Sequence, residues 1–387
     1  MTTGIIGSGA MGTGIAQVAA TAGESVILFD AHKPALDKAK ANLDSTMRKL
    51  AEKGKISADD AKNIFARIHF ASDLDEFKNC SLIIEAVVED LEAKRDLFSR
   101  LEKIVPAECI LGTNTSSLSI TSIASACEKP GRAIGIHFFN PAAIMPLVEI
   151  VKGIATDASV EKNIKSKMEA WKKVPVLAKD TPGFIVNRVA RPFYGEAIRI
   201  YEEGIADIPT IDEAMKDGGF KMGPFELMDF IGNDVNYTVT ETVWKQFFYD
   251  PKYKPSLTQK RMVEANLLGK KTGRGYYDYQ NQASNLNSQS KPQTFKSIIY
   301  NRILAMLINE AADALYLGIA TREDLDLAMT KGVNYPKGLL KWADEIGIEK
   351  VFAEMEKLYA EYCEDRYRPS ILLRKMVQQK TNFYSQT

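Results

Sequence analysis

The chain has 387 residues, of which 45% are hydrophobic and 26% charged, a balance typical of a globular protein with two or three domains. Lys plus Arg and Asp plus Glu number 50 each, so no overall field favours nucleic acid or an anionic membrane, and we expect neither as a partner. The lack of a signal-like or membrane-spanning segment, with only three histidines and four scattered cysteines, predicts a cytoplasmic protein without a metal site.

A glycine-rich loop follows the first predicted strand. The apolar strand at 3–6 runs into the sequence GSGAMG, in which Gly7, Gly9 and Gly12 form a G-x-G-x-x-G pattern before a helix predicted over 10–22. In this setting the glycines permit a tight turn and let the backbone approach a pyrophosphate, while the helix N-terminus offers free N–H groups. We therefore predict these three glycines as cofactor-binding residues of a dinucleotide site.

An aspartate follows the second predicted strand. The strand at 26–29 ends in Asp30, eighteen residues past Gly12, where a carboxylate can accept both ribose hydroxyls of an adenosine. Because a carboxylate there repels a 2′-phosphate, Asp30 predicts NAD rather than NADP, although His32 and Lys33 lie close in the sequence. The alternative interpretation is a turn aspartate after an edge strand.

Helices and strands alternate through the rest of the N-terminal part. Helices are predicted over 34–53 and from Ser57, and further strands at 81–87, 109–113, 133–139 and 147–151. This alternation predicts a mostly parallel, doubly wound α/β domain of the Rossmann type, with its ligand crevice at the carboxyl ends of the strands. Glu85, Asn114, Ser116 and His137 fall at or just past such ends, and we predict Asn114 as cofactor-binding.

His137 and Glu149 are polar residues inside apolar strands. The nine residues between His137 and the strand that contains Glu149 include Pro141 and Pro146 and are too few for a helical crossover, so the strands are predicted neighbours. A half-buried imidazole and a half-buried carboxylate would satisfy each other, and the carboxylate would fix the tautomer of the ring. The alternative is a core histidine with a backbone partner and an outward-facing glutamate.

Seven segments in order resemble the L-3-hydroxyacyl-CoA dehydrogenases, including the bacterial 3-hydroxybutyryl-CoA enzymes. The segments read GSGAMGTGIAQVAA, IIEAVVEDLEAKRDLF, NTSSLSIT, HFFNPAAIMPLVEIV, DTPGFIVNR, MGPFELMD and GKKTGRGYYDY. The resemblance implies NAD-dependent, reversible oxidation of the 3-hydroxyl of an acyl-CoA to a ketone. Two alternatives are a dehydrogenase of a free hydroxy acid and a non-catalytic dinucleotide-binding protein.

The resemblance also implies roles for individual residues. His137 matches the general acid/base of the family and Glu149 its carboxylate partner; Ser116 matches a hydroxyl that contacts substrate, and Asn187 an amide near the reacting oxygens. These types suit a reaction in which hydride leaves C3 while a proton goes to an imidazole. From the residues alone, Ser116 or Ser117 could instead cap the following helix, and Asn187 could be a polar residue in an early helical turn.

Further residues match the binding positions of the family. Glu89 and Lys94 match positions that line the nicotinamide half of the cofactor site, although they could equally form a solvated pair at a helix start. Lys53, in a basic segment, matches a lysine that contacts coenzyme A, although charged helix ends are usually only solvated. We predict Ser116, Asn187 and Lys53 as the substrate-binding residues.

Beyond Asp180 the alternation gives way to helical patterns, and part of the sequence recurs. Pairs offset by 114 residues include Asn187-Arg188 with Asn301-Arg302, Glu196 with Glu310, and Asp212 with Asp326. This repetition predicts two tandem all-α domains after the α/β domain. The predicted boundaries are 1–182 for the NAD-binding domain, 183–279 for the first helical domain, 280–294 for a polar linker and 295–387 for a second, degenerate repeat.

The second helical repeat has a predicted structural role. Single-module members of the family bury the apolar face of this module against a partner subunit, and a second copy could supply that interface internally. We therefore expect an internal pseudo-dimer of the two repeats, with a homo-oligomer also possible. Asn301 lacks the preceding TPGF sequence and is predicted to be structural.

Overall fold

The computed structural model describes residues 2–281 and 291–384, which form two compact units with the boundary between Phe184 and Ile185. Within these ranges no helix is both long and apolar enough to cross a membrane.

An eight-stranded sheet forms the centre of the first unit. Its strands are β1 (Thr2–Ile6), β2 (Ser25–Phe29), β3 (Ile68–Phe70), β4 (Leu82–Glu85), β5 (Ile110–Thr113), β6 (Ala133–Phe138), β7 (Leu147–Lys152) and β8 (Val174–Lys179). They lie in the order β3-β2-β1-β4-β5-β6-β7-β8, and every neighbouring pair is parallel except the antiparallel pair β6–β7. The mostly parallel, doubly wound fold is confirmed, whereas β3 and β8 were not among the predicted strands.

Helices cover both faces of this sheet. They are α1 (Ala10–Thr21), α2 (Lys33–Glu52), α3 (Ala58–Ala66), α4 (Leu91–Ile104), α5 (Ile120–Ala124) and α6 (Ala158–Ala170). Successive strand residues point to opposite faces, so the neighbours Ile5 and Ile6 of β1 enter two separate apolar clusters. One cluster holds Ile15 of α1 and the other Phe98 of α4. Burial on both faces explains why the central strands are mostly apolar.

The second unit is helical, as predicted. Its helices are α7 (Val186–Val189), α8 (Arg191–Glu202), α9 (Ile208–Asp217), α10 (Pro224–Ile231), α11 (Asn233–Gln246), α12 (Leu257–Glu264), α13 (Gln293–Tyr316), α14 (Arg322–Gly332), α15 (Leu339–Ile346), α16 (Ile348–Tyr362) and α17 (Ile371–Gln379). The 24-residue α13 is buried along most of its length and packs against α8, α9, α15, α16 and α17. It is the central helix of this unit.

Matching positions of the two sequence repeats make matching hydrogen bonds. Asp212 of α9 accepts from two backbone N–H groups at the start of α10 and from the hydroxyl of Tyr277 at 2.8 Å. Asp326 of α14 accepts from two backbone N–H groups at the start of α15 and from the hydroxyl of Tyr384 at 2.9 Å. The same sequence pattern therefore builds the same local structure twice.

Two reciprocal ion pairs join the repeats. Arg188 Nε donates to Glu310 Oε1 at 2.6 Å, and Arg302 Nε donates to Glu196 Oε1 at 2.6 Å. The two pairs are related by the 114-residue offset seen in the sequence, so each repeat supplies one arginine and one glutamate. Exchange of equivalent residues in this way is the pattern of an isologous, two-fold interface.

The boundaries of the predicted domains stay a prediction, because the described contacts gather both repeats into one unit. Residues 282–290 of the predicted linker, and 385–387 of the second repeat, lie outside the described residues. Residues 293 and 294 of that linker belong to α13.

Candidate active site

The glycine loop between β1 and α1 packs too closely for side chains at two positions. Gly7 has φ +97°, and a Cβ there would lie 2.5 Å from the carbonyl oxygen of Ala86. A Cβ on Gly12 would lie 1.8 Å from the carbonyl oxygen of Gly7, whereas one on Gly9 would meet open space. The loop therefore lies against β4 and α1 on its inner side and leaves its backbone at Gly9 approachable from outside.

Asp30, just past β2, is tied to this loop. Its Oδ2 accepts from the backbone N–H of Ser8 at 2.7 Å and from the Ser8 hydroxyl at 2.9 Å, and its Oδ1 accepts from the backbone N–H of His32 at 2.9 Å. Burial opposes the charge of the carboxylate, but the hydrogen bonds from Ser8 and His32 outweigh it and lower the pKa of Asp30. Asp30 is therefore an anion at neutral pH, held beside the loop.

A cavity beside Asp30 has the size and lining that an adenosine needs. Its volume is about 580 Å³, and its walls include Gly7, Gly9, Asp30, Ala86 and Leu97. Among the described residues no side chain caps the N-terminus of α1, and no acidic residue lies in its first turn, so its N–H groups suit a phosphate. A close-approach loop, a charged carboxylate at the end of β2 and an apolar cleft together fit NAD.

His137 and Glu149 face each other across the antiparallel pair β6–β7. They are register partners, and His137 Nδ1 donates to Glu149 Oε2 at 2.7 Å. Their side chains are 7% and 0% exposed. The predicted pairing of the strands is confirmed, and Glu149 points inward rather than outward.

This pairing fixes the chemistry of the ring. A carboxylate only accepts hydrogen bonds, so Nδ1 of His137 carries a proton and Nε2 of the neutral ring carries the lone pair. The rings of Phe139 and Phe184 lie 4.6 Å and 5.8 Å from the imidazole, centroid to centroid. The imidazole of His137 is therefore held in one orientation in apolar surroundings.

Glu89 organises the turn that contains Ser116. Its Oε1 accepts from the Thr115 hydroxyl at 2.5 Å and from the backbone N–H groups of Ser116 at 2.9 Å and Ser117 at 3.1 Å. Burial opposes its charge, but the Thr115 hydroxyl and the ammonium of Lys94 outweigh burial and lower the pKa of Glu89. A single carboxylate thus anchors the whole turn.

Ser116 and Ser117 do not cap the following helix. The N-cap of α5 is Ser119, whose hydroxyl accepts from the backbone N–H of Ser122 at 3.2 Å. The capping alternative for Ser116 and Ser117 is therefore wrong. Ser116 is half-buried, and its hydroxyl lies 3.4 Å from Glu89 Oε1.

Lys94 of α4 sits beneath this turn in a buried polar cluster. Its Nζ lies 2.5 Å from Glu85 Oε1 and 3.4 Å from Glu89 Oε2, and its side chain is only 1% exposed. Glu85 is fully buried at the end of β4, and its second oxygen accepts from the Thr113 hydroxyl at 2.7 Å. Lys94 thereby links the end of β4 to the carboxylate that holds the Ser116 turn.

The sequence analysis did not assign Glu85 its role as the buried partner of Lys94. The one available signal was a glutamate at the end of the otherwise apolar strand LIIE. Nothing in the sequence indicates that Lys94, nine residues later, turns back to pair with it.

Asn114 connects the turn to the strand that carries His137. Its side-chain oxygen accepts from the backbone N–H of Phe138 at 2.8 Å, and its own N–H donates to the carbonyl of Glu85 at 2.8 Å. The ends of β4, β5 and β6 are therefore cross-linked at one edge of the sheet. Asn114, Ser116 and His137 share this edge, as their positions at strand ends predicted, and Glu89 lies beside them through its hydrogen bond with Ser116.

The two remaining predicted residues lie elsewhere in the chain. Lys53 is an exposed residue at the C-terminal end of α2. Asn187 is half-buried in α7 and belongs to the second unit. Across the described ranges no group of three or more His, Cys, Asp or Glu side chains could hold a metal ion.

Two known protein families account for most of the sequence. Residues 2–181 match the family described as 3-hydroxyacyl-CoA dehydrogenase, NAD binding domain. The family described as 3-hydroxyacyl-CoA dehydrogenase, C-terminal domain, matches twice, at residues 183–279 and 298–383.

Similar proteins fall into a long and a short form. The 3-hydroxyadipyl-CoA dehydrogenase of Escherichia coli K12 is 36% identical, and the match covers 97% of each chain. A probable 3-hydroxybutyryl-CoA dehydrogenase of Deinococcus radiodurans is 43% identical, covering 72% of this chain and all of its own. The crystal structure of 3-hydroxybutyryl-CoA dehydrogenase from Escherichia coli K12 superimposes with a TM-score of 0.93 at 36% identity, covering 98% of both chains.

Proposed function

Because the chain belongs to the 3-hydroxyacyl-CoA dehydrogenase family and is an NAD-dependent dehydrogenase, we propose that it oxidises (S)-3-hydroxyacyl-CoA to 3-oxoacyl-CoA, reversibly. NAD, when bound, accepts the hydride that leaves C3 of the substrate. The observation that carries the proposal is the hydrogen bond of 2.7 Å between His137 Nδ1 and Glu149 Oε2.

His137 is the general acid/base in this proposal. Its Nε2 takes the proton of the 3-hydroxyl as hydride leaves C3, and returns a proton to the ketone oxygen in the reverse direction. Glu149 holds the ring in the required tautomer and stabilises the imidazolium that forms. Glu149 is fully buried, so no water competes for that interaction.

Ser116 and Asn187 are the proposed substrate-orienting residues. A hydroxyl and an amide can hold the 3-hydroxyl and the thioester carbonyl, which lowers the barrier by positioning. The support for Ser116 is that Glu89 fixes its turn through three neighbouring residues. The support for Asn187 is its place in the sequence GFIVNR, which resembles the family segment.

Two further assignments concern the cofactor and coenzyme A. Gly7, Gly9, Gly12 and Asp30 hold the adenosine and pyrophosphate of NAD in our proposal, and Glu89, Lys94 and Asn114 shape its nicotinamide end. Lys53, exposed at the end of α2, is the proposed contact for a phosphate of coenzyme A.

We also propose that the two helical repeats form an internal pseudo-dimer. The reciprocal pairs Arg188–Glu310 and Arg302–Glu196 support this proposal, since they exchange equivalent residues between the repeats. A chain that ends at Tyr279 would expose Arg188 and Glu196 without their partners. It is expected to aggregate or self-associate in analytical ultracentrifugation, and a stable monomeric truncation would contradict the proposal.

The reaction itself is tested with a panel of 3-oxoacyl-CoA substrates of different acyl lengths, by following the loss of NADH. We expect turnover of at least one member, with little or none for the matching free 3-oxo acids. Failure on every CoA ester would overturn the assignment, and equal rates on the free acids would favour a dehydrogenase of free hydroxy acids.

A further inference from the structure

The polar cluster beneath the Ser116 turn contains two carboxylates and one ammonium group. Lys94 Nζ lies 2.5 Å from Glu85 Oε1 and 3.4 Å from Glu89 Oε2. Among the described residues no other lysine, arginine or histidine forms an ion pair with either carboxylate. Two negative charges and one positive charge leave this cluster with one negative charge in excess.

The excess charge resides on Glu89, because Glu85 already neutralises Lys94. Glu85 is fully buried, and its oxygens also accept from the backbone N–H of Val87 at 2.7 Å and from the Thr113 hydroxyl at 2.7 Å. The Lys94 ammonium lies closer to Glu85 than to Glu89. The side chain of Glu89 is 38% exposed, and its other partners are the hydroxyl and backbone N–H groups of the turn that it anchors. Glu89 therefore presents a negative charge outside the buried pair.

The strand order places this cluster on one side of the dinucleotide crevice. The order reverses between β1 and β4, since β2 and β3 lie on one side of β1 and β4, β5 and β6 on the other. In such a sheet a dinucleotide spans the crevice at the point of reversal. Asp30 follows β2 on one side, whereas Glu85 and Thr113 are the last residues of β4 and β5 on the other. With the adenosine at Asp30, the nicotinamide half belongs to the side of the cluster.

The two oxidation states of NAD differ in the charge of the nicotinamide ring, which is a cation in NAD⁺ and neutral in NADH. A nearby negative charge therefore attracts the oxidised ring more strongly than the reduced one. We propose that Glu85, by neutralising Lys94, leaves the charge of Glu89 to favour binding of NAD⁺ over NADH. Glu85 is thus a positioning residue that acts through Lys94 and Glu89. The inference rests on the cofactor assignments of the proposed function.

This charge arrangement also has a consequence for the direction of the reaction. Tighter binding of NAD⁺ relative to NADH shifts the equilibrium between the two bound forms towards NAD⁺. On the protein, this shift favours transfer of hydride from NADH to the 3-oxo group over the reverse transfer. A cluster without excess charge would lack this bias.

The test measures the dissociation constants of NAD⁺ and NADH separately, by isothermal titration calorimetry in the absence of acyl-CoA. Glu85→Gln keeps the size of the side chain and removes its charge, so that Lys94 and Glu89 cancel each other. We expect the ratio of Kd for NADH to Kd for NAD⁺ to fall about fivefold relative to the wild type. Glu24→Gln is the matched control and should change the ratio less than about twofold. Glu24 pairs with Lys167 at 2.9 Å, just before the N-terminal end of β2 and away from the crevice.

A double variant separates the effect of charge from an effect on structure. Glu85→Gln combined with Lys94→Met removes both buried charges and leaves the negative charge of Glu89. The Kd ratio should therefore return to within about twofold of the wild-type value, which a merely structural role of Glu85 would not produce. Glu89→Gln also makes the cluster neutral and should lower the ratio about fivefold, which keeps the inference testable if Glu85→Gln does not fold.

Two results would overturn the inference: an unchanged Kd ratio in Glu85→Gln or Glu89→Gln, or a double variant that keeps the lowered ratio of Glu85→Gln. Failure of the proposed function has a different readout. Absence of turnover on every 3-oxoacyl-CoA, with the shifts of the Kd ratio present, would contradict the proposed reaction and support the charge effect on cofactor binding.

Discussion

Arg302 of the second helical repeat donates through Nε to Glu196 of the first at 2.6 Å, with side chains only 7% and 1% exposed. The hydroxyl of Tyr367 donates to the same carboxylate oxygen of Glu196 at 2.8 Å. The equivalent pair in the opposite direction is Arg188 with Glu310. Each repeat therefore neutralises a buried charge of the other. Removal of either repeat would leave buried charges of the remaining repeat unpaired.

Removal of Arg302 should destabilise the helical unit. Arg302→Met leaves Glu196 buried without its cation, and the free energy of unfolding should fall by about 3–5 kcal/mol. The matched control is Arg374→Met, because Arg374 is 54% exposed and its pair with Glu356 should contribute about 0–1 kcal/mol. Chemical denaturation followed by tryptophan fluorescence measures both variants. Equal stabilities of the two variants would refute the structural role of the pair.

Glu310 should make the stability of this unit depend on acid pH. Burial alone would raise its pKa, but the charges of Lys252 and Arg188 outweigh burial and hold the pKa at about 2, below the ordinary value of 4.5. Because the native state binds fewer protons than the unfolded state, this contribution is present above pH about 4.5 and is lost as the pH falls towards 2. Glu310→Gln should lower stability at neutral pH and flatten the decline between pH 5 and about 2. Thermal melts across this pH range check the prediction, with Glu356→Gln as the exposed control. If the decline of stability with falling pH is the same in Glu310→Gln as in the wild type, the prediction is contradicted.

Glu89 should act on substrate binding through the turn that it anchors. Glu89→Gln weakens the acceptor for the Thr115 hydroxyl and for the backbone N–H groups of Ser116 and Ser117, so we expect kcat/KM for 3-oxoacyl-CoA to fall about tenfold or more. Glu92→Gln, whose side chain is 76% exposed, is the control and should not change the kinetics. A purely structural role would lower the melting temperature but leave kcat and KM of the folded protein unchanged.

Asp30 should set the preference for NAD over NADP. Its pKa is lowered by Ser8 and His32, so the carboxylate is charged and repels a 2′-phosphate. The wild type should show a kcat/KM for NAD at least about tenfold above that for NADP, and Asp30→Asn should narrow the difference. Asp37→Asn, an exposed change on α2, is the control. A wild-type preference for NADP would exclude this role.

The parts of the fold with local signals were predictable. The glycine loop lies between a strand and a helix, and the short connection between β6 and β7 excluded a helical crossover. By contrast, β3 has only three residues, and β8, with the sequence VPVLAK, is an edge strand that contains a proline. Strands so short or so interrupted carry little periodicity, and their neighbours in the sheet decide their conformation.

Long-range side-chain contacts were not predictable from the same signals. The repeat positions of Arg188 and Glu196 were visible in the sequence, but their respective partners Glu310 and Arg302 lie more than 100 residues away. The dependence of the Ser116 turn on Glu89 likewise joins residues 27 positions apart. Such contacts follow from the packing of whole elements, which no local pattern encodes.

The central claim is that His137 transfers the proton of the reaction, and its most direct test is the rate of His137→Gln. General acid/base catalysis contributes about 100- to 10,000-fold, so kcat for 3-oxoacyl-CoA reduction should fall about 1,000-fold while the melting temperature stays close to that of the wild type. His69→Gln is the matched control, since His69 also pairs with a carboxylate, Glu76, but is 61% exposed and lies outside the site; its kcat should stay within about twofold. A folded His137→Gln protein that retains more than about a tenth of the wild-type kcat would contradict the account.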